Sequence, residues 1–86
     1  MVRYHWALVE SWDGGSLWQV NGRFESKERA MAAKRQSIEA NDAFHRREKS
    51  TFSVQRINSP KVRRYYEVIN ATRRRNGMAE INRTGD

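Results

Sequence analysis

The chain has 86 residues, with seventeen Lys and Arg against ten Asp and Glu, a formal charge of +7 and no cysteine. That length makes one small domain, burying roughly 60% of its unfolded surface. The absence of cysteine excludes a disulfide framework and a thiolate metal site and points to a reducing, cytoplasmic compartment. No stretch approaches the roughly 18 apolar residues of a membrane span, and the start lacks a signal-peptide pattern, so a soluble, unprocessed protein is expected. Trp6, Trp12 and Trp18, with three Phe and three Tyr, argue against the disorder that the low mean hydropathy would otherwise suggest.

Residues 3 to 12 alternate, with Tyr4, Trp6, Leu8 and Trp12 on one parity and Arg3, His5 and Ser11 on the other, which predicts a half-buried strand. Residues 17 to 24 repeat the pattern with Trp18, Val20 and Phe24 inward. Asp13-Gly14-Gly15-Ser16 between them predicts a hairpin. Ser26 offers a helix N-cap, Glu28 an acid in the first turn, and Ala30, Met31, Ala33, Ser37, Ile38 and Ala40 an inward face, for a helix ending near Ala40. Phe44 would plug its end, and residues 45 to 49 would form a charged loop. Residues 51 to 57 read as a third strand with Phe52 and Val54 inward. Ser59-Pro60 opens a second helix that Gly77 closes, with Val62, Tyr65, Tyr66 and Ile69 as its apolar stripe.

The expected fold class is therefore α+β: a three-stranded antiparallel sheet packed by one helix, plus a C-terminal basic helix, in the order β-β-α-β-α. Residues 1–77 would form a single domain and 78–86 a flexible tail, because that segment has no period.

Charge is distributed unevenly. Residues 1 to 44 carry six basic and six acidic side chains, whereas 45 to 86 carry eleven basic and four acidic ones, so the whole excess lies downstream of Phe44. Thirteen of the seventeen bases are arginine, which favours bidentate contact with phosphate or carboxylate. Such a one-sided field concentrates polyanions or acidic protein surfaces near one face.

The inventory for catalysis is thin. His5 and His45 are the only histidines, no Ser or Cys stands at a triad or metal-ligand spacing beside them, and Gly14-Gly15 lacks the helix and lysine of a phosphate loop. The reading is of a protein that is not an enzyme, with no metal, no cofactor and no small-molecule substrate. The candidate partner-binding residues are Arg56, Arg46, Arg47, Arg63, Arg64, Arg74 and Arg75, whose bland alternative is a solvated helix and loop. A secondary face would gather Arg3, His5 and Arg23 with Gln19, Asn21, Ser53 and Gln55, a pattern that is usually just the wet side of a sheet. The same parity argument assigns Trp6 and Trp18 to the core and leaves only Trp12 open for base stacking.

Trp6-Ala7-Leu8-Val9-Glu10-Ser11, a polar turn, a second strand, Glu25-Ser26 before an alanine-containing helix, and Phe52-Ser53-Val54-Gln55-Arg56-Ile57 occur in that order. This resembles the small host RNA polymerase inhibitors of short-tailed lytic bacteriophages over residues 4 to 60. Those proteins show a Trp-Ala-x-Val-Glu-Ser first strand and a Phe-x-Val-x-Arg-Val last strand. The resemblance implies a non-enzymatic inhibitor docking on a bacterial protein or nucleoprotein complex, RNA polymerase above all, with Arg56 as a docking residue. A second family arginine meets Asn58 here, and the family's acidic stretch meets Glu25 and Glu28 balanced by Lys27 and Arg29. The alternatives are a largely non-specific DNA- or RNA-binding protein, an anti-defence inhibitor of the anti-CRISPR type, or an assembly protein pairing through a strand edge.

Overall fold

The computed structural model describes residues 1–43 and 50–85. Its elements are β1 (Trp6–Trp12), β2 (Leu17–Phe24), α1 (Lys27–Ala43), β3 (Thr51–Arg56) and α2 (Pro60–Arg75), an α+β fold in the expected order. The sheet is antiparallel with strand order β2-β1-β3, so β1 is the central strand. The expected plug Phe44 and loop 45–49 lie outside the described residues. No helix among the described residues is long and apolar enough to cross a membrane.

Local chemistry explains the element ends. Asp13, Gly14 and Gly15 take positive φ in succession, and the Ser16 hydroxyl donates to the Asp13 carbonyl and carboxylate at 2.8 and 2.9 Å, closing the hairpin between Trp12 and Leu17. Ser26 Oγ accepts from the Arg29 amide at 3.2 Å, as an N-cap does. Ser59 caps α2 by accepting from the Val62 amide, with Pro60 at its first position. At the other end Gly77 has φ +72°, while the Gly77 and Met78 amides donate to the Arg74 and Arg73 carbonyls. That is a Schellman stop, and it spends backbone carbonyls that would otherwise be unpaired.

The core departs from the expected one-sided sheet. Ala7, Leu8 and Val9 are all buried, so β1 is dry on both faces. Ala7 and Val9 cluster with Ile57, Val62 and Tyr66, with Trp18, Val20, Tyr65 and Ile81 packed around them. This face, expected to be wet, is the one α2 covers. Leu8 has the opposite parity, and α1, which packs against all three strands through the buried Ala30, covers that side. Ala33 and Ser37 are half-buried with Ala30, but Met31 and Ile38 stand 40% exposed, so the inward face of α1 is narrower and smaller than expected.

A bulge reassigns the second strand. Leu8 pairs with Gly22 and Val9 with Val20, leaving Asn21 unmatched, its side-chain amide donating to Glu10 Oε1 at 2.7 Å. An inserted residue reverses parity beyond it. Phe24 therefore shares the face of its partner Trp6, whereas Trp18 and Val20 share the face of Ser11 and Val9. Trp6 and Trp18 consequently belong to opposite faces rather than to one core. Trp18 receives α2, its ring centroid 6.0 Å from that of Tyr65 and 5.0 Å from the Lys61 ammonium.

Residues 78–85, expected to form a flexible tail, instead run back along α2 as a strap. Asn70 pairs with the Ile81 backbone in both directions, at 2.9 and 2.8 Å. Arg73 Nε donates to the Ala79 carbonyl, Arg74 pairs with Glu80, and an Arg23 guanidinium nitrogen donates to the Asn82 carbonyl at 2.6 Å. The Thr84 carbonyl accepts from the Tyr4 amide, and Gly85 bridges Arg3. Several of the anchors, Arg23, Tyr4 and Arg3, are distant in sequence, which is why a local pattern does not announce the strap.

Two outcomes test this packing. Gly85 has φ +114°, and a Cβ placed there would lie 2.2 Å from the Val2 carbonyl oxygen. Gly85→Ala is expected to destabilise the fold by about 1–3 kcal/mol in urea unfolding, and an effect below about 0.5 kcal/mol would contradict the strap. The Tyr66 hydroxyl is pushed above the ordinary tyrosine range chiefly by burial, an effect that Arg23 opposes and Tyr65 and Tyr4 reinforce. Because the folded value exceeds the unfolded one, this contribution is intact below pH 10 and is lost as pH rises through the folded pKa. Tyr66→Phe should therefore flatten the alkaline fall in stability above about pH 10, relative to the parent protein.

Candidate functional site

Helix α2 and strand β3 place the candidate arginines in different directions. Along α2, residues eleven apart point within about 20° of each other and lie about 16 Å apart. Arg63 and Arg74 thus form one row, and Arg64 and Arg75 another, about 100° around the helix. All four side chains are exposed. The Arg64/Arg75 row faces away from the strap. Among the described residues its carboxylate neighbour is Glu67, 3.9 Å from Arg64 with both side chains largely solvated, a contact worth little. The Arg63/Arg74 row borders a groove of about 390 Å³ between α2 and residues 80–83.

Arg56 is elsewhere. It ends β3 opposite Trp6, on the sheet face that α1 covers, and its guanidinium carbon lies 5.0 Å from the Trp6 ring centroid. The Lys27 ammonium, from the first residue of α1, lies 5.4 Å from the same ring. Trp6 is only half-buried, so the three side chains make an aromatic platform rimmed by two cations. A shallow pocket lined by Lys27, Glu28, Met31 and Arg35 continues from it. Trp6 and Lys27 were not among the residues expected from sequence. The signal for them is the strand pairing that aligns Trp6 with Arg56, which becomes visible only once β1 is known to sit between β2 and β3.

Arg46 and Arg47 lie outside the described residues. The proposed secondary face does not assemble. Arg23 is half-buried and structural, its guanidinium carbon 4.4 Å from the Tyr4 ring centroid and 5.7 Å from that of Tyr66, with backbone carbonyls of the strap as acceptors. Arg3 is exposed and bridges Gly85. His5 is exposed, and its backbone joins Phe24 and Ile57. Ser53 and Gln55 are half-buried and tied through Gln55 to Ser53 and Ser59. The physical reason is α2: once it covers Ala7 and Val9, this side of the sheet is interior.

Among the described residues no group of three or more His, Cys, Asp and Glu is placed to hold a metal ion. What the arrangement offers is two separate cationic surfaces, the Trp6 platform and the outer rows of α2, on opposite sides of one thin sheet. No protein-family model, no curated protein and no solved structure matches the chain.

Proposed function

We propose that this protein is a non-enzymatic inhibitor or regulator that docks on a bacterial nucleic-acid machine, most concretely RNA polymerase, through its arginine-bearing surfaces. The observation that carries this reading is the Trp6 platform. Both motifs behind the resemblance to phage polymerase inhibitors lie on the paired strands β1 and β3, and their pairing sets Arg56, exposed, beside Trp6 and Lys27. An aromatic ring flanked by cations suits an interface anchor, because Trp and Arg contribute disproportionately when a partner excludes water around them. A planar guanidinium held over the ring is also partly ordered before a carboxylate or phosphate arrives.

The second reading is direct, largely sequence-independent nucleic-acid binding by α2. It is favoured by the rows Arg63/Arg74 and Arg64/Arg75, which would follow a phosphate backbone for about 16 Å.

Two double variants of equal charge separate these readings. Capture from a bacterial lysate, with and without nuclease, should retain the same large protein assembly in both arms. Lys27→Ala with Arg56→Ala should weaken affinity for purified RNA polymerase by about 30-fold or more, about 2 kcal/mol. Arg64→Ala with Arg75→Ala should have far less effect. If capture vanishes with nuclease and the α2 pair abolishes binding to a random duplex, with a logarithmic salt slope near −0.9 per neutralised phosphate, nucleic acid is the target instead.

A further inference from the structure

The groove between α2 and the strap has two unlike ends. At one, Arg74 is neutralised by Glu80. At the other stand Arg63 and Arg83. Arg83 Nη1 donates to the Ile57 carbonyl at 3.1 Å and to Asn58 Oδ1 at 3.0 Å, neutral acceptors that fix the guanidinium without cancelling its charge. The Arg63 guanidinium has no hydrogen-bond or ion-pair partner among the described residues, its backbone amide donating to the Ser59 carbonyl. Glu67, the remaining carboxylate of the groove, lies one helical turn from Arg63 and makes only a long, solvated contact of 3.9 Å with Arg64. This end therefore carries two guanidinium groups, one held in place and one free to swing, against the single solvated carboxylate of Glu67.

We infer that the Arg63/Arg83 end of this groove is an oxyanion subsite that takes the phosphate group of a small ligand. The two positive charges match a phosphate dianion, and two guanidinium forks supply more N–H donors than one carboxylate can accept. Anchoring of Arg83 by Ile57 and Asn58 lowers the ordering cost of binding. The groove, of about 390 Å³, leaves space beside the anion for the body of a sugar-sized ester, against the wall formed by Tyr66, Asn70 and Ile81. The inference goes beyond the docking reading and does not rest on it, since neither Trp6 nor Arg56 takes part.

The test is an NMR titration of the purified protein with inorganic phosphate and, separately, with ribose 5-phosphate, each against chloride at matched ionic strength. Saturable shifts centred on the side-chain NεH signals of Arg63 and Arg83 are expected. Arg63→Ala should weaken the binding about tenfold or more, while Arg75→Ala, which removes the same charge outside the groove, should leave it within about twofold. Tighter binding of the ester would assign the subsite to a phosphomonoester, and equal binding would assign it to free phosphate. The inference is overturned if phosphate shifts these signals no more than chloride does, or if Arg63→Ala and Arg75→Ala weaken binding equally. Arg63 is exposed and anchors no backbone group, so its replacement leaves the fold available for the measurement.

Discussion

A central strand that is dry on both faces governs this molecule. Ala7, Leu8 and Val9 are buried in succession, so each side of a three-stranded sheet must be covered by something. Among the described residues two α-helices do it. α1 approaches closely through Ala30, and α2 brings larger side chains, Val62 and Tyr66, to the face that Ala7 and Val9 leave shallow. The strap then seals the margin of α2 with Ile81 and returns to the first residues of the chain. Each layer is thin, and the burial of β1 depends on all of them.

This arrangement divides the arginines into two populations. Arg23, Arg73 and Arg83 give their N–H groups to backbone carbonyls of the strap or of the turn before α2. They act as non-local ties in a protein with no disulfide. A guanidinium suits this role because several donors lie in one plane and can serve different acceptors without rearrangement. Arg63, Arg64 and Arg75 on α2, and Arg56 at the end of β3, are exposed and make no such tie. The high arginine content thus serves cohesion and recognition at once, and the charge count alone does not separate the two.

What was legible in the sequence was local. The glycine turn, the Ser26 and Ser59-Pro60 starts and the Gly77 stop depend on interactions spanning at most five residues, and they appear where residue chemistry places them. The bulge at Asn21 was not legible, because one extra residue leaves the alternation of Trp18, Val20 and Phe24 intact in sequence while reversing it in space. The double-sided burial of β1 did have a signal, the unbroken run Ala7-Leu8-Val9, but the alternation of the larger Tyr4, Trp6, Leu8 and Trp12 dominates any reading by size. The strap depends on hydrogen bonds between Asn70 and Ile81, 11 residues apart, and on bonds donated by Arg23 and Arg83 at separations of 59 and 25 to 26 residues, the latter beyond any local window of sequence. For the candidate site, Arg56 was identifiable from its motif. Its companions Trp6 and Lys27 required the register.

The division of the arginines is tested most directly by thermal unfolding of four charge-equal variants, Arg23→Gln, Arg83→Gln, Arg64→Gln and Arg75→Gln, measured at one pH and ionic strength. The account predicts that the first two lower the midpoint by roughly 5 °C or more, since each leaves at least one backbone carbonyl without its donor, and that the last two move it by no more than about 2 °C. A uniform response across the four, or a larger loss from Arg64 and Arg75, would contradict it.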